Sequence, residues 1–261
     1  MISTFLILSV AVCSSLVAMA EEGGEYSLWP RRPVELEQAR GMVREQQLDE
    51  AVELLRPFVR EKGIAGREAR QISGAINVRR YLSRNHPGAE THKVRRGETL
   101  ARIAADKGCP TEVLMLLNGI TEPSDLKVGQ LLVYVPMNLR MEVRPLQREL
   151  SVWDENTIVA SYNILQVKNY KSEANAELTV SAREGYINGV ALPSRSVQFL
   201  SSERVLVLSD GSALLGGEST RSVFFRLAEK DINELALLLG VGARVSVISD
   251  EQAFSSVSQE E

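Results

Sequence analysis

Three hydrophobic patterns follow one another along the chain. From Val34, the residues Leu36, Ala39, Met42 and Val43 share one helical face, and Leu48, Ala51, Leu54, Leu55 and Val59 repeat that spacing. A third helix is expected over 65–83, ended by the turn Asn85-His86-Pro87-Gly88. The next pattern is a strand over 92–95, a helix over 99–107 with Leu100, Ile103 and Ala104 inward, a second helix over 111–117 with Val113, Leu114 and Leu117 inward, and a closing strand over 131–135. Past Pro136 the chain turns to short alternating or apolar runs, which predict strands over 141–144, 149–153, 157–164, 177–180, 185–187, 197–200, 204–208, 223–226 and 244–248. One helix, over 229–239, sits among them, with Ile232, Leu235, Ala236 and Leu239 inward and Gly240 as its stop. The expected fold class is α+β and multidomain: an N-terminal helical hairpin or three-helix segment, a βααβ module, and a mainly-β sandwich with one helix.

The middle segment carries the most specific motifs. Gly97-Glu98-Thr99-Leu100 follows its first strand, Asn118-Gly119-Ile120 ends its second helix, and Leu126-Lys127-Val128-Gly129-Gln130-Leu131 runs from a turn into the last strand. Asn118-Gly119 can take the left-handed backbone that stops a helix. In that order the pieces resemble the LysM module, a βααβ domain that binds N-acetylglucosamine-containing glycans such as peptidoglycan or chitin. The resemblance implies a shallow sugar groove between Gly97, Glu98, Thr99 and Leu100 on one side and Asn118, Gly119 and Ile120 on the other. Backbone amides and carbonyls of such turns suit the hydroxyl and acetamido groups of a neutral glycan, and Leu100 and Ile120 are expected to meet the acetyl methyl. The family usually has Asp where this chain has Glu98. Either motif alone reads as a helix start or a helix stop; together in this frame they point to a sugar. The second helix, Val113-Leu114-Met115-Leu116-Leu117, is apolar nearly all round, so one side is expected to pack on a neighbouring domain.

The first twenty residues hold an apolar run ending in Ala18-Met19-Ala20, the pattern of a secretory signal with a small-x-small cleavage site. Cleavage after Ala20 leaves Cys109 as the sole thiol, so no disulfide within the chain is expected and Cys109 reads as a packing residue. No later stretch is apolar for long enough to span a bilayer. The net charge of −4 argues against a nucleic-acid partner. Arg79, Arg80, Arg84, Lys93, Arg95, Arg96 and Arg102 nevertheless gather in one part of the sequence, as a solvated basic face or as an attraction for an anionic wall polymer. With two separated histidines and one mature cysteine, no metal site or cofactor is expected. The text ARGMVREQQLDEAVELLRPFVRE resembles one tetratricopeptide unit; a single repeat cannot build a solenoid, so the helices either dock a partner or pack on the rest.

Two portions of the β-rich region resemble the L,D-transpeptidase catalytic domain. They are the opening hairpin PLQRELSVWDENTIVASYNI and the closing order from Val205 to Ile248 of strand, glycine-containing loop, strand, helix and strand. Those enzymes act through a cysteine thiolate activated by histidine, and neither group is present. Asp210-Gly211 stands where the family has His-Gly, and Phe224 stands where it has the cysteine, within Ser222-Val223-Phe224-Phe225-Arg226. Arg226 and Asp231 match the family's arginine and helix aspartate. Both histidines, His86 and His92, precede this region, and no cysteine falls in it. A serine at Ser219 or Ser222 with Asp210 would still need a base of near-neutral pKa.

The boundaries expected are a signal peptide over 1–20, a linker over 21–32, a helical domain over 33–85, the LysM module over 92–136, the transpeptidase-like domain over 140–249 and a disordered tail over 250–261. The function expected is that of an exported, non-enzymatic peptidoglycan-binding protein of the periplasm or cell wall, its C-terminal domain a recognition domain without catalysis. Two alternatives stay open: a scaffold that recruits a cell-wall enzyme, or a related enzyme with a non-cysteine site.

Overall fold

The computed structural model describes residues 33–171, 175–192 and 202–249. The expected signal peptide, linker and tail, and the strand expected over 197–200, lie outside the described residues. Within them the chain is mixed α and β, with six α-helices and a curled ten-stranded sheet. No helix among the described residues is long and apolar enough to cross a membrane.

Helices α1 (Val34–Arg44), α2 (Leu48–Leu55) and α3 (Gly63–Tyr81) come first. Leu36, Ala39, Ala51, Leu55, Ala69 and Ile76 form their apolar cluster, as the spacing predicts, but the cluster is completed by Trp153 and Ile158 from the β-region. The helices are therefore a layer laid on a sheet. Close approach is set by Gly74, where a Cβ would come within 2.7 Å of the Ser161 backbone nitrogen. A buried ion pair fastens the layer. Arg70 donates from Nε and Nη2 to the two carboxylate oxygens of Glu149 at 2.8 and 2.6 Å, and its Nη1 donates to the Val59 and Glu61 carbonyls.

Strand β1 (Glu90–Lys93), helices α4 (Leu100–Asp106) and α5 (Thr111–Asn118), and strand β2 (Leu131–Tyr134) build the expected βααβ unit. The strands pair antiparallel with His92 opposite Leu132. Helix α5 buries Val113, Leu114, Met115 and Leu117, and only its Leu116 is largely exposed. Its inner residues join one continuous cluster with Val143, Leu206 and Leu235 of the β-region. At the helix start, the Glu112 carboxylate accepts from Arg183 Nη1 at 2.6 Å, while Nη2 of the same guanidinium donates to the Ala236 carbonyl. The neighbour that an all-round apolar helix requires is this β-region.

The large sheet comprises β3 (Leu139–Arg144), β4 (Glu149–Asp154), β5 (Thr157–Asn163), β6 (Gln166–Lys168), β7 (Ala176–Ile187), β8 (Val190–Ala191), β9 (Glu203–Leu208), β10 (Ala213–Leu215), β11 (Phe224–Arg226) and β12 (Arg244–Val247). Its order is β5-β4-β3-β12-β7-β9-β10-β11-β6, with β8 paired to β7. Helix α6 (Glu229–Leu238) buries Ile232, Leu235, Ala236 and Leu238. The sequence pattern predicts two short strands where the structure has the single twelve-residue β7. The polar run Ser181-Ala182-Arg183-Glu184 reads as an interruption, but a register shift between Val180 and Ala182 lets the strand turn and pair with β12 before it and β9 after it. One hydrogen-bonded path thus joins what an open sandwich would keep as two sheets. The three-residue strands β6 and β10 and the two-residue β8 lie outside the runs that alternation marks.

The Arg70–Glu149 pair is 2% and 0% exposed, so removing one partner strands a charge without water. Glu149→Ala is expected to cost about 3–5 kcal/mol of unfolding free energy. Urea melts of the variant and parent measure it; a loss below about 1 kcal/mol would show that the pair does not fasten the layer.

Candidate functional site

The two loops singled out by motif are held by different devices. In the first, Gly97 has φ +85°, a backbone that a side chain would strain, and it is exposed. Glu98 folds back on the loop: its Oε2 accepts from the Arg95 backbone N–H at 2.7 Å and lies 2.9 Å from His92 Nε2. The Arg95 amide, then His92, holds the Glu98 carboxyl below the usual carboxylate range. Thr99 caps α4, its hydroxyl oxygen accepting from the Arg102 N–H at 3.3 Å. Helix α4 therefore starts one residue after the expected Thr99.

In the second loop, Asn118 is a bracket. Its side-chain Nδ2 donates to the carbonyls of Leu114 and Val133, and its Oδ1 accepts from the Val133 N–H, at 2.8, 2.7 and 2.8 Å. Both amide donors are spent on tying the end of α5 to β2. Gly119 follows in the left-handed conformation at φ +62°, and the Ile120 N–H returns to the Met115 carbonyl.

Exposure sorts the seven residues. Gly97, Thr99 and Gly119 are exposed, and Glu98 and Asn118 are partly so. Leu100 and Ile120 are 2% and 6% exposed and belong to the core with Ile103 and Leu117. The apolar contact expected of these two is therefore not offered by their side chains as they stand, because the helical spacing that marks them also turns them inward. What the loops present to a ligand is main chain, together with the Thr99 hydroxyl. Neutral, hydrogen-bonding ligands suit such a surface.

Cys109 lies beneath this unit at 5% exposure, and burial pushes its thiol up to about 11. It stays protonated at neutral pH and acts as packing.

In the β-region, Phe224, Asp210, Ser222 and Arg226 each have packing or hydrogen-bond partners. Phe224 is 1% exposed and packs with Val205, Ala213 and Leu215. Asp210 Oδ1 accepts from the N–H and hydroxyl of Ser212, closing a turn. The Ser222 carbonyl accepts from Asn169 Nδ2, and Arg226 makes a two-pronged pair with Glu218 at 2.8 and 3.1 Å. Lys230, the lysine of α6, is 86% exposed. Sequence reading missed a neighbouring cluster in which Glu184 Oε2 accepts from Arg221 Nη2 at 2.5 Å and from the Tyr186 hydroxyl at 2.6 Å. Tyr186 and Arg221 border a cavity of about 290 Å³ together with Gly216 and Ser219. Its parts come from β7 and the loop before β11, a distance in sequence that no spacing rule bridges.

Residues 92–134 match the LysM domain family. A 56-residue stretch is 43% identical to an endolysin of Bacillus phage PZA, covering 21% of this chain and 22% of that protein. The chain thus spans about a fifth of the length of that curated relative. Among solved structures, an L,D-transpeptidase of Xylanimonas cellulosilytica superposes with a TM-score of 0.30 at 15% identity, covering 44% of this chain and 64% of that one. An L,D-transpeptidase of Enterococcus faecium does so with a TM-score of 0.31 at 11% identity, covering 47% and 56%.

Two outcomes follow for the loops. Asn118→Ala removes three hydrogen bonds and is expected to cost about 1–3 kcal/mol. Asn118→Asp, nearly the same shape, is expected to cost at least as much at neutral pH, since it sets carboxylate oxygen against two carbonyls; thermal melts compare them, and a neutral Asp variant would deny the bracket its role. For Glu98, a depressed carboxyl contributes fully above the unfolded pKa and loses its contribution as pH falls through the lower folded value. The Arg95 amide resonance should therefore titrate with a midpoint below the roughly 4.3 of a free glutamate, and Glu98→Ala should abolish that titration.

Proposed function

We propose that this protein is exported and binds peptidoglycan, or another polymer of N-acetylglucosamine, through the LysM domain over 92–134. The observation that carries the reading is the LysM match, whose two bends, at Gly97 and Gly119, keep exposed main chain on offer. An acetamido sugar both donates and accepts hydrogen bonds, and peptide groups answer both. Each such bond exchanges with one to water, so a single glycan site of this kind binds modestly. The sequence pattern of the first twenty residues supports export, and the endolysin likeness accords with life at the cell wall.

The β-region, on this reading, recognises rather than reacts. Support comes from the sequence inventory, which places no histidine and no cysteine after Cys109, and from Phe224, whose ring fills a small core at the position compared with a nucleophile. A covalent acyl transfer needs a nucleophile and a base within hydrogen-bond reach.

The glycan reading is tested by sedimentation with insoluble peptidoglycan and by amide shift mapping with chitin oligomers. The protein is expected to pellet with the wall polymer, and the shifts are expected at residues 97–100 and 118–121. Failure to pellet, or shifts confined to other segments, would overturn it. For the second part, purified protein should leave muropeptides unchanged over hours; turnover lost in Ser222→Ala or Asp210→Ala would replace recognition with catalysis.

A further inference from the structure

Between the helical layer and the β4–β5 hairpin lies a cleft of about 650 Å³ that the glycan reading does not use. Its lining includes three arginines, Arg56, Arg60 and Arg80, with Val59 and Ile158 as apolar wall. Ser73, also in the lining, is 1% exposed, and its hydroxyl has no hydrogen-bond partner among the described residues. A buried hydroxyl left in that state is costly unless a ligand or water answers it.

In the lining the three arginines face one carboxylate, Glu53, and a further group of cations lies beside Arg60. Arg60, Arg140 and Arg144 converge on the one carboxylate of Glu142, at 3.6, 3.3 and 2.7 Å. Arg140 Nη1 is buried with no hydrogen-bond partner among the described residues. Arg60 lies over the Trp153 ring, its Cζ 3.8 Å from the centroid, and its Nη2 donates to Asn156 Oδ1 at 3.3 Å. Burial lowers the Arg60 pKa, with Arg140, Arg144 and Arg70 adding to it and Glu142 opposing. The other two arginines pair with exposed acids, Arg56 with Glu53 and Arg80 with Asp49, both at 2.6 Å. Such surface pairs hold weakly, so a ligand carboxylate can take over either guanidinium.

We propose that this cleft is a second ligand site, which takes the carboxylate end of a short peptide. Arg60, preset by the tryptophan, receives the carboxylate in its planar fork; Arg56 and Arg80 add charge; the apolar wall holds small side chains. A lone inorganic anion would use the arginines but leave the wall and most of the volume empty, which favours a peptide. The site is independent of the LysM loops.

The test is an amide shift titration of the full chain with N-acetyl-alanyl-alanine and, in parallel, its C-terminal carboxamide. The acid is expected to shift Ser73 and Ile158 amides saturably, and the carboxamide to bind at least about tenfold more weakly. Arg60→Gln should remove the acid's advantage. Arg56→Gln, at a largely exposed position that spares the fold, should reduce it several-fold, which keeps the test decisive if Arg60→Gln does not fold. Equal response to acid and carboxamide, shifts confined to other surfaces, or inorganic phosphate competing as well as the peptide would each overturn the assignment. Saturation with chitin oligomers should leave the cleft response unchanged, so failure of the glycan reading and failure of this one are told apart.

Discussion

Two full charges buried against each other set the frame of this molecule. Arg70 and Glu149 have surrendered nearly all contact with water, and the cost of that is recovered only in a fixed geometry: two prongs to the carboxylate, two carbonyls on Nη1, and the Ser161 hydroxyl on the acid. An apolar contact could slide by an ångström; this one cannot. It therefore sets where α3 lies over β4 and β5, which in turn lets Trp153 and Ile158 close the helical core. Gly74 is the steric counterpart, since any side chain there would lift the helix from the strand. Helices α1 to α3 are thus shaped by the sheet they cover, and a tetratricopeptide-like text has been put to use as a lid on one hairpin.

A different economy governs the LysM unit. Helix α5 is short, and its hydrophobic residues serve two neighbours at once, the small βααβ core and the β-region. A helix claimed from both sides has little freedom to rotate, so its end is a firm base for the Gly119 bend. Asn118 then transfers that position to β2 through three hydrogen bonds made by one side chain. The Gly97 bend has a looser anchor, a single carboxylate shared by a backbone amide and an imidazole. Of the two bends that frame the proposed sugar site, the second is built to stay and the first can respond to acidity.

How far the sequence disclosed all this depends on the range of each interaction. Local periodicity located the six α-helices of the described residues because i to i+4 spacing is written in consecutive residues, and the apolar girdle of α5 announced a neighbour without saying which. Alternation found most of the strands, but it broke β7 in two, because Arg183 and Glu184 look like loop until their partners Glu112 and Arg221 are supplied from elsewhere. The LysM loops were legible as motifs, though the motif did not say which side chains face outward; Leu100 and Ile120 were marked by the same apolarity that buries them. Asn118 read as a helix stop and a ligand contact, whereas its amide is consumed by β2, fifteen residues on. The arginine-lined cleft was illegible, since its cations are spread over Arg56, Arg60 and Arg80 and one wall comes from Asn156 to Ile158, far along the chain.

The two proposed sites differ in chemistry in a way that bears on the whole chain. A sugar held by main-chain groups gains little per bond, because water competes on nearly equal terms for every one of them. A protein retained on a polymer by one such domain needs either a dense lattice of sites or a second contact of another kind. Charge supplies the other kind: guanidinium to carboxylate is stronger than amide to hydroxyl, and a half-buried, pre-stacked arginine loses less entropy on meeting its partner. When both contacts lie on the same polymer, the second forms at the effective concentration fixed by the first, and two modest affinities multiply. A wall polymer made of neutral sugar strands carrying carboxylate-ended peptides presents both chemistries side by side. On such a surface, the charge imbalance around Glu142 adds a contact of a second kind to the proposed glycan contact.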